Sequence, residues 1–90
     1  MGKYEKLLLQ VLRGSSDANI AFHDLCQLLR RLGFEESIRG SHHNFRKDGV
    51  EQKINLQKDG SKAKAYQVKQ VRSVVVDNRL GEELEESEEK

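Results

Sequence analysis

Apolar positions fall into two helical stripes, then an alternating stretch, then a third stripe. In the first, Tyr4, Leu7, Leu8, Val11 and Leu12 share one side of a helix over 4–13, which Gly14-Ser15-Ser16-Asp17 ends while offering caps for the next element. Phe22, Leu25, Cys26, Leu29 and Leu32 repeat the spacing over 22–32. Gly33 is placed to take the left-handed C-cap, with Phe34 folding back onto the helix. The period then changes to two. Gly40-Ser41 and Asp48-Gly49 are hairpin turns, so strands are expected at 34–39, 42–47 and 50–56. A polar loop, 57–61, leads to a last helix over 63–78 with Val68, Val71, Val74 and Val75 inward; its valines leave a strand at 71–76 as the alternative.

Closing the first turn pairs Arg39 with His42, Ser37 with Asn44 and Glu35 with Arg46. Closing the second pairs Lys47 with Val50, Phe45 with Gln52 and His43 with Ile54. One face of the sheet then collects Phe34, Ile38, His43, Phe45, Val50, Ile54 and Leu56. The other collects Glu35, Ser37, Arg39, His42, Asn44, Arg46, Glu51, Lys53 and Asn55. A one-residue slip would invert every side chain, so this sorting argues for the arrangement. Of the adjacent histidines, His43 turns toward the core, to be held by backbone or a helix side chain. His42 stands on the open face between Arg39 and Asn55, with Arg46 and Lys53 a step further.

Ninety residues, 36% hydrophobic and 34% charged, allow one small domain with a modest core. The expected division is a body over 1–79 and an acidic tail over 80–90. Residues 77–90 carry Asp77 and six glutamates against Arg79 and Lys90, a net of −5 out of +1, which leaves 1–76 at +6. A basic body suggests an anionic partner. The tail serves solubility or, as a second reading, folds over the basic face. The single Cys26 excludes an internal disulfide and fits the core better than a catalytic thiol. No apolar run reaches membrane length, the start lacks a signal-peptide core, and Lys6 stands where a myristoylation signal needs Ser or Thr. A cytoplasmic protein is the expectation.

Taken together, the fold class is α+β: α–β–β–β–α with a three-stranded antiparallel sheet covered by helices on one face, plus an extra N-terminal helix. That is the order of double-stranded-RNA-binding domains, although topology alone does not assign function.

The run Leu32-Gly33-Phe34, then Arg39-Gly40-Ser41-His42-His43-Asn44-Phe45, resembles HicA-type toxins of toxin–antitoxin pairs. Gly49-Val50, Ile54-Asn55-Leu56 and Tyr66-Gln67-Val68-Lys69-Gln70-Val71-Arg72 extend the likeness over roughly 20–76. The resemblance implies a double-stranded-RNA-binding type of fold and ribosome-independent mRNA cleavage. It also implies a HicB antitoxin partner over the active site, and a catalytic histidine directly after Gly-Ser, here His42. Many members carry Pro-His after the third strand, where this chain has Gln57-Lys58.

RNA brings its own nucleophile, the 2′-hydroxyl, so cleavage needs geometry, proton transfer and charge stabilisation. On this reading His42 is general base or general acid. The phosphate-binding candidates are Arg39, Ser41, Asn44, Arg46, Lys53, Asn55, Lys62 and Lys64. No cofactor, metal, membrane or DNA contact by the toxin alone is expected, and His42 with His43 diverge too far to chelate. His23, off the helical stripe, is expected to be a solvated bystander. The competing reading is a non-catalytic RNA-binding module gripping RNA through Lys62 and Lys64. A third is a protein-interaction domain pairing through a sheet edge.

Overall fold

The computed structural model describes residues 2–81. Three helices, α1 (Lys3–Arg13), α2 (Phe22–Arg31) and α3 (Ala65–Asn78), combine with a three-stranded antiparallel sheet. The sheet runs β1 (Glu35–Arg39), β2 (His42–Arg46) and β3 (Ile54–Leu56), with β2 in the centre. Two further short strands, β4 (Lys58–Asp59) and β5 (Lys62–Ala63), form a separate hairpin across the expected polar loop 57–61 and the expected start of the last helix, which begins at Ala65 instead of 63. The acidic segment from Glu82 onward lies outside the described residues; Leu80, just before it, packs on the core.

Each helix follows from its stripe. Leu7, Leu8 and Val11 are buried from α1, Phe22, Leu25, Cys26, Leu28 and Leu29 from α2, and Val68, Val71, Val74 and Val75 from α3. The valines are therefore helical: packing outweighs their low helix propensity. Gly33, at φ +98, makes the expected left-handed exit from α2, and the Phe34 amide returns to the Leu29 carbonyl at 3.0 Å.

The anticipated caps do not form, because no N-cap side chain bonds its helix. Asp17 instead takes the Arg72 guanidinium at 3.0 Å, and that guanidinium also donates to the Val11 carbonyl at 3.0 Å. Arg72 thus ties α3 to the end of α1 and to the turn at Asp17–Asn19. The start of α2 is anchored by β-type contacts. Phe22 N–H donates to the Ser61 carbonyl at 3.0 Å, and Ala63 N–H to the Ile20 carbonyl at 2.9 Å.

The first hairpin has the expected register, Arg39 opposite His42 through Glu35 opposite Arg46. The second differs by two residues: Phe45 faces Ile54, Asn44 faces Asn55 and His43 faces Leu56. The tight turn is still closed, Val50 N–H donating to the Lys47 carbonyl at 3.1 Å, but residues 51–53 leave the ladder before it resumes. Burial explains the shift. The tighter register would set the Gln52 amide against Phe45 on the core face; the observed one sets fully buried Ile54 there and leaves Gln52 exposed. A two-residue shift keeps each side chain on its face. Ile38 departs from expectation, being 56% exposed at the tip of the edge strand.

Asp17→Ala leaves Arg72 half-buried without its carboxylate. It is expected to cost about 2 kcal/mol, read as a lower urea midpoint with an unchanged slope.

Candidate functional site

His42 opens β2 directly after the Gly40-Ser41 turn, and its side chain is exposed on the face away from the helices. Alternation forces this outcome once His43 is fixed inward. His43 Nδ1 lies 2.8 Å from Glu36 Oε2. Its ring meets Phe22 of α2 edge-on, with centroids 4.9 Å apart. The expectation of an inward, structural His43 holds, but its partner is a carboxylate on β1 rather than backbone or a helix residue. Its cross-strand neighbours are Ile38 and Leu56 instead of Ile38 and Ile54.

Glu36 is the residue that sequence reasoning overlooked. It points inward by parity, and Arg30 of α2 binds its second oxygen, with Nε at 2.9 Å. Burial works against ionisation of Glu36. The hydrogen bonds and charges of His43 and Arg30 outweigh it, and the carboxyl ends below its ordinary value of 4.5. Cys26 completes a cluster in which sulfur, carboxylate and imidazole donor atoms all lie within 4.8 Å of one another. These residue types can ligate a soft metal. Here both Glu36 oxygens are already bonded, and burial, helped by the Glu36 charge, pushes the Cys26 thiol up to about 11. The cluster is a latch between sheet and α2.

On the open face, Asn55 Oδ1 lies 3.4 Å from His42 Nδ1, and Gln57 Nε2 lies 3.5 Å from His42 Nε2. The same Gln57 nitrogen is 3.5 Å from Ser41 Oγ. Gln57 escaped the sequence reading because the tighter register gave its place opposite His42 to Asn55. Counting outward-facing positions past 53 and 55 reaches 57, which is the signal that was available. Its backbone N–H donates at 2.9 Å to Oε1 of Gln67, a buried amide on α3.

The cationic candidates divide into three groups. Arg39, Arg46 and Lys53, with Ser37 and Asn44, line one groove on the open face, together with Glu35 and Glu36. Lys64, Lys58, Ser41 and Gln57 line a second cleft at the turn end, with Gly40 and His43. His42 lines neither; it pairs with Arg39 and lies 3.5 Å from the Gln57 amide nitrogen. Lys62 is drawn aside, its ammonium donating to Asn19 Oδ1 at 3.1 Å. Arg72 is committed to Asp17, so the last helix does not present it to solvent as a free cation. His23 is exposed on α2, as expected.

No protein-family model, curated protein or solved structure matches the chain. The structure defines it as a small α+β domain, and no described helix is long and apolar enough to cross a membrane.

Two outcomes follow from the latch. Because the folded-state value of Glu36 is depressed, its stabilisation is present above pH 4.5 and is lost as pH falls through that depressed value. Glu36→Gln is therefore expected to be less stable than wild type at pH 7 by about 1.5–3 kcal/mol, with the gap closing on acidification in urea titrations. Cys26, buried and held protonated, is expected to resist alkylation at pH 8 in the native protein and to react once urea unfolds it, as read by mass spectrometry.

Proposed function

We propose that the chain is a HicA-type toxin, a metal-independent endoribonuclease that cleaves mRNA with His42 as general acid–base. Its sheet and flanking helices then serve as a double-stranded-RNA-binding type of scaffold. The observation that carries this reading is the exposed His42 ring on the central strand, paired with Arg39 and beside Asn55 and Gln57.

The chemistry needs little more. A phosphodiester laid across β2 meets Arg39, Arg46 and Lys53 on one side and Lys64 on the other, which hold the phosphate and offset charge as it develops. Ser41 and Asn44 supply neutral hydrogen bonds beside it. The 2′-hydroxyl gives up its proton and its oxygen attacks phosphorus. The bond to the 5′-oxygen breaks, and that oxygen takes a proton. The products are a 2′,3′-cyclic phosphate and a free 5′-hydroxyl. His42 is within reach of these transfers without any metal-bound water, because the nucleophile belongs to the RNA. A HicB-like antitoxin covering the open face would silence the site by excluding RNA.

A labelled single-stranded RNA incubated with protein and EDTA tests this. Cleavage is expected to survive chelation and to fall by about 10²–10⁴-fold in His42→Ala, while His23→Ala cleaves normally. RNA binding without cleavage in the wild type selects instead the non-catalytic RNA-binding module.

A further inference from the structure

We propose that β1 is a self-pairing edge. Two copies of this chain join antiparallel through Glu35–Arg39, with the two-fold axis at Ser37, and their sheets become one. This association goes beyond the nuclease reading and does not depend on it.

The backbone makes the edge available. β1 pairs only with β2, so its far side has no strand beside it. Gly40, at φ +60, opens a two-residue turn, which makes Arg39 and His42 a hydrogen-bonded pair. Bonded and non-bonded pairs alternate along the ladder. The main-chain groups of Glu35, Ser37 and Arg39 therefore face β2, and those of Glu36 and Ile38 face outward. An inverted copy centred on Ser37 sets Glu36 opposite Ile38 of the other chain. That pair exchanges both of its N–H···O=C bonds, and the axis repeats the exchange. The edge at β3 is poorer, being three residues long, with Gln70 of α3 already donating to the adjoining Lys53 carbonyl at 3.4 Å.

Side chains select a second copy as the partner. In this register Glu35 stands opposite Arg39 of the other copy at both ends of the strand, on the exposed face. Among the described residues, neither Glu35 nor Arg39 belongs to an ion pair. The Arg39 guanidinium has donors enough for this carboxylate and for a phosphate. Charges on an edge strand ordinarily protect it, by repelling like charges or by stranding one in the contact. Here opposite signs are spaced symmetrically about Ser37, so the inverted strand matches them. The remaining charge, Glu36, is turned to the helix side and already bound by Arg30 and His43, so pairing strands nothing. Ile38, 56% exposed in the single chain, is brought diagonally toward its own copy, at about 7–8 Å. Neighbouring registers lose the match. An axis at Glu36 opposes two carboxylates, and an axis at Ile38 sets Arg39 against Ser37 and carries Glu35 past the end of the strand.

Sedimentation equilibrium of the full chain tests the pairing. A contact this small lies at the weak end of protein interfaces, so dimer is expected to appear between about 10 and 500 µM. Amide exchange at Glu36 and Ile38 is expected to slow over the same range. Arg39→Glu and Glu35→Arg each oppose like charges at both ends, and each is expected to weaken self-association by at least about tenfold. Mixed in equal amounts, one variant offers only carboxylates at these positions and the other only guanidiniums, and the mixture is expected to associate as wild type does. Ile38→Lys, at an exposed position, is expected to abolish the dimer and to melt as wild type does. A wild type that stays monomeric, folded charge variants that self-associate undiminished, or a mixture that fails to associate overturns the proposal. Should Glu35→Arg, which faces Arg46 within its own sheet, not fold, a dimer that survives Ile38→Lys overturns it equally. None of these readouts involves RNA, so a failure of the nuclease reading is seen separately.

Discussion

The grip of His43 on Glu36 is the interaction on which the outer surface of this protein depends. Two neighbouring imidazoles on one strand must point to opposite faces, so fixing either fixes both. Glu36 receives His43 on one oxygen and Arg30 on the other, and the Phe22 ring closes on the imidazole edge-on. A strand residue, a helix cation and a helix aromatic thus agree on one rotation of β2. With His43 latched under α2, His42 has no apolar surface to bury against and stands in solvent. The cost of burying the carboxylate is offset by two charged or hydrogen-bonded partners, which is the condition under which such a group is tolerated.

Around that latch the fold divides the work between its two faces. The helix side holds Phe45, Ile54 and Leu56 of the sheet against the stripes of α2 and α3. The opposite side is left polar, with cations spaced along it and amides beside the outward imidazole. Communication between the sides is local. Gln67, buried in α3, holds the backbone of Gln57, whose side chain emerges at His42. Arg72 is spent on joining α3 to Asp17 and to the end of α1. Positive charge in a composition is therefore a poor guide to free positive surface in a domain this small.

Several elements were legible because they rest on short-range rules. The helical stripes around Leu8, Leu28 and Val71, the left-handed exit at Gly33 and the register of the first hairpin all follow from spacing and turn chemistry. So does the outward aim of His42, since alternation needs no knowledge of distant contacts. The second hairpin was harder. Asp48-Gly49 does make its turn, yet the ladder resumes two residues later. Both registers keep the same faces, so alternation cannot tell them apart. What separates them is the choice of Ile54 over Gln52 as the neighbour of Phe45, a packing preference expressed across three elements.

By itself, then, the sequence determined the order of the three α-helices and of the three strands of the main sheet, the register of its first hairpin and the outward position of His42. Tertiary structure alone decided the partner of His43, the commitment of Arg72 and Lys62 to Asp17 and Asn19, and the arrival of Gln57 at the His42 ring. The physical reason is distance along the chain. Periodicity and turns act between residues a few positions apart, whereas these pairings join side chains 7 to 55 positions apart and exist only once the layers have packed.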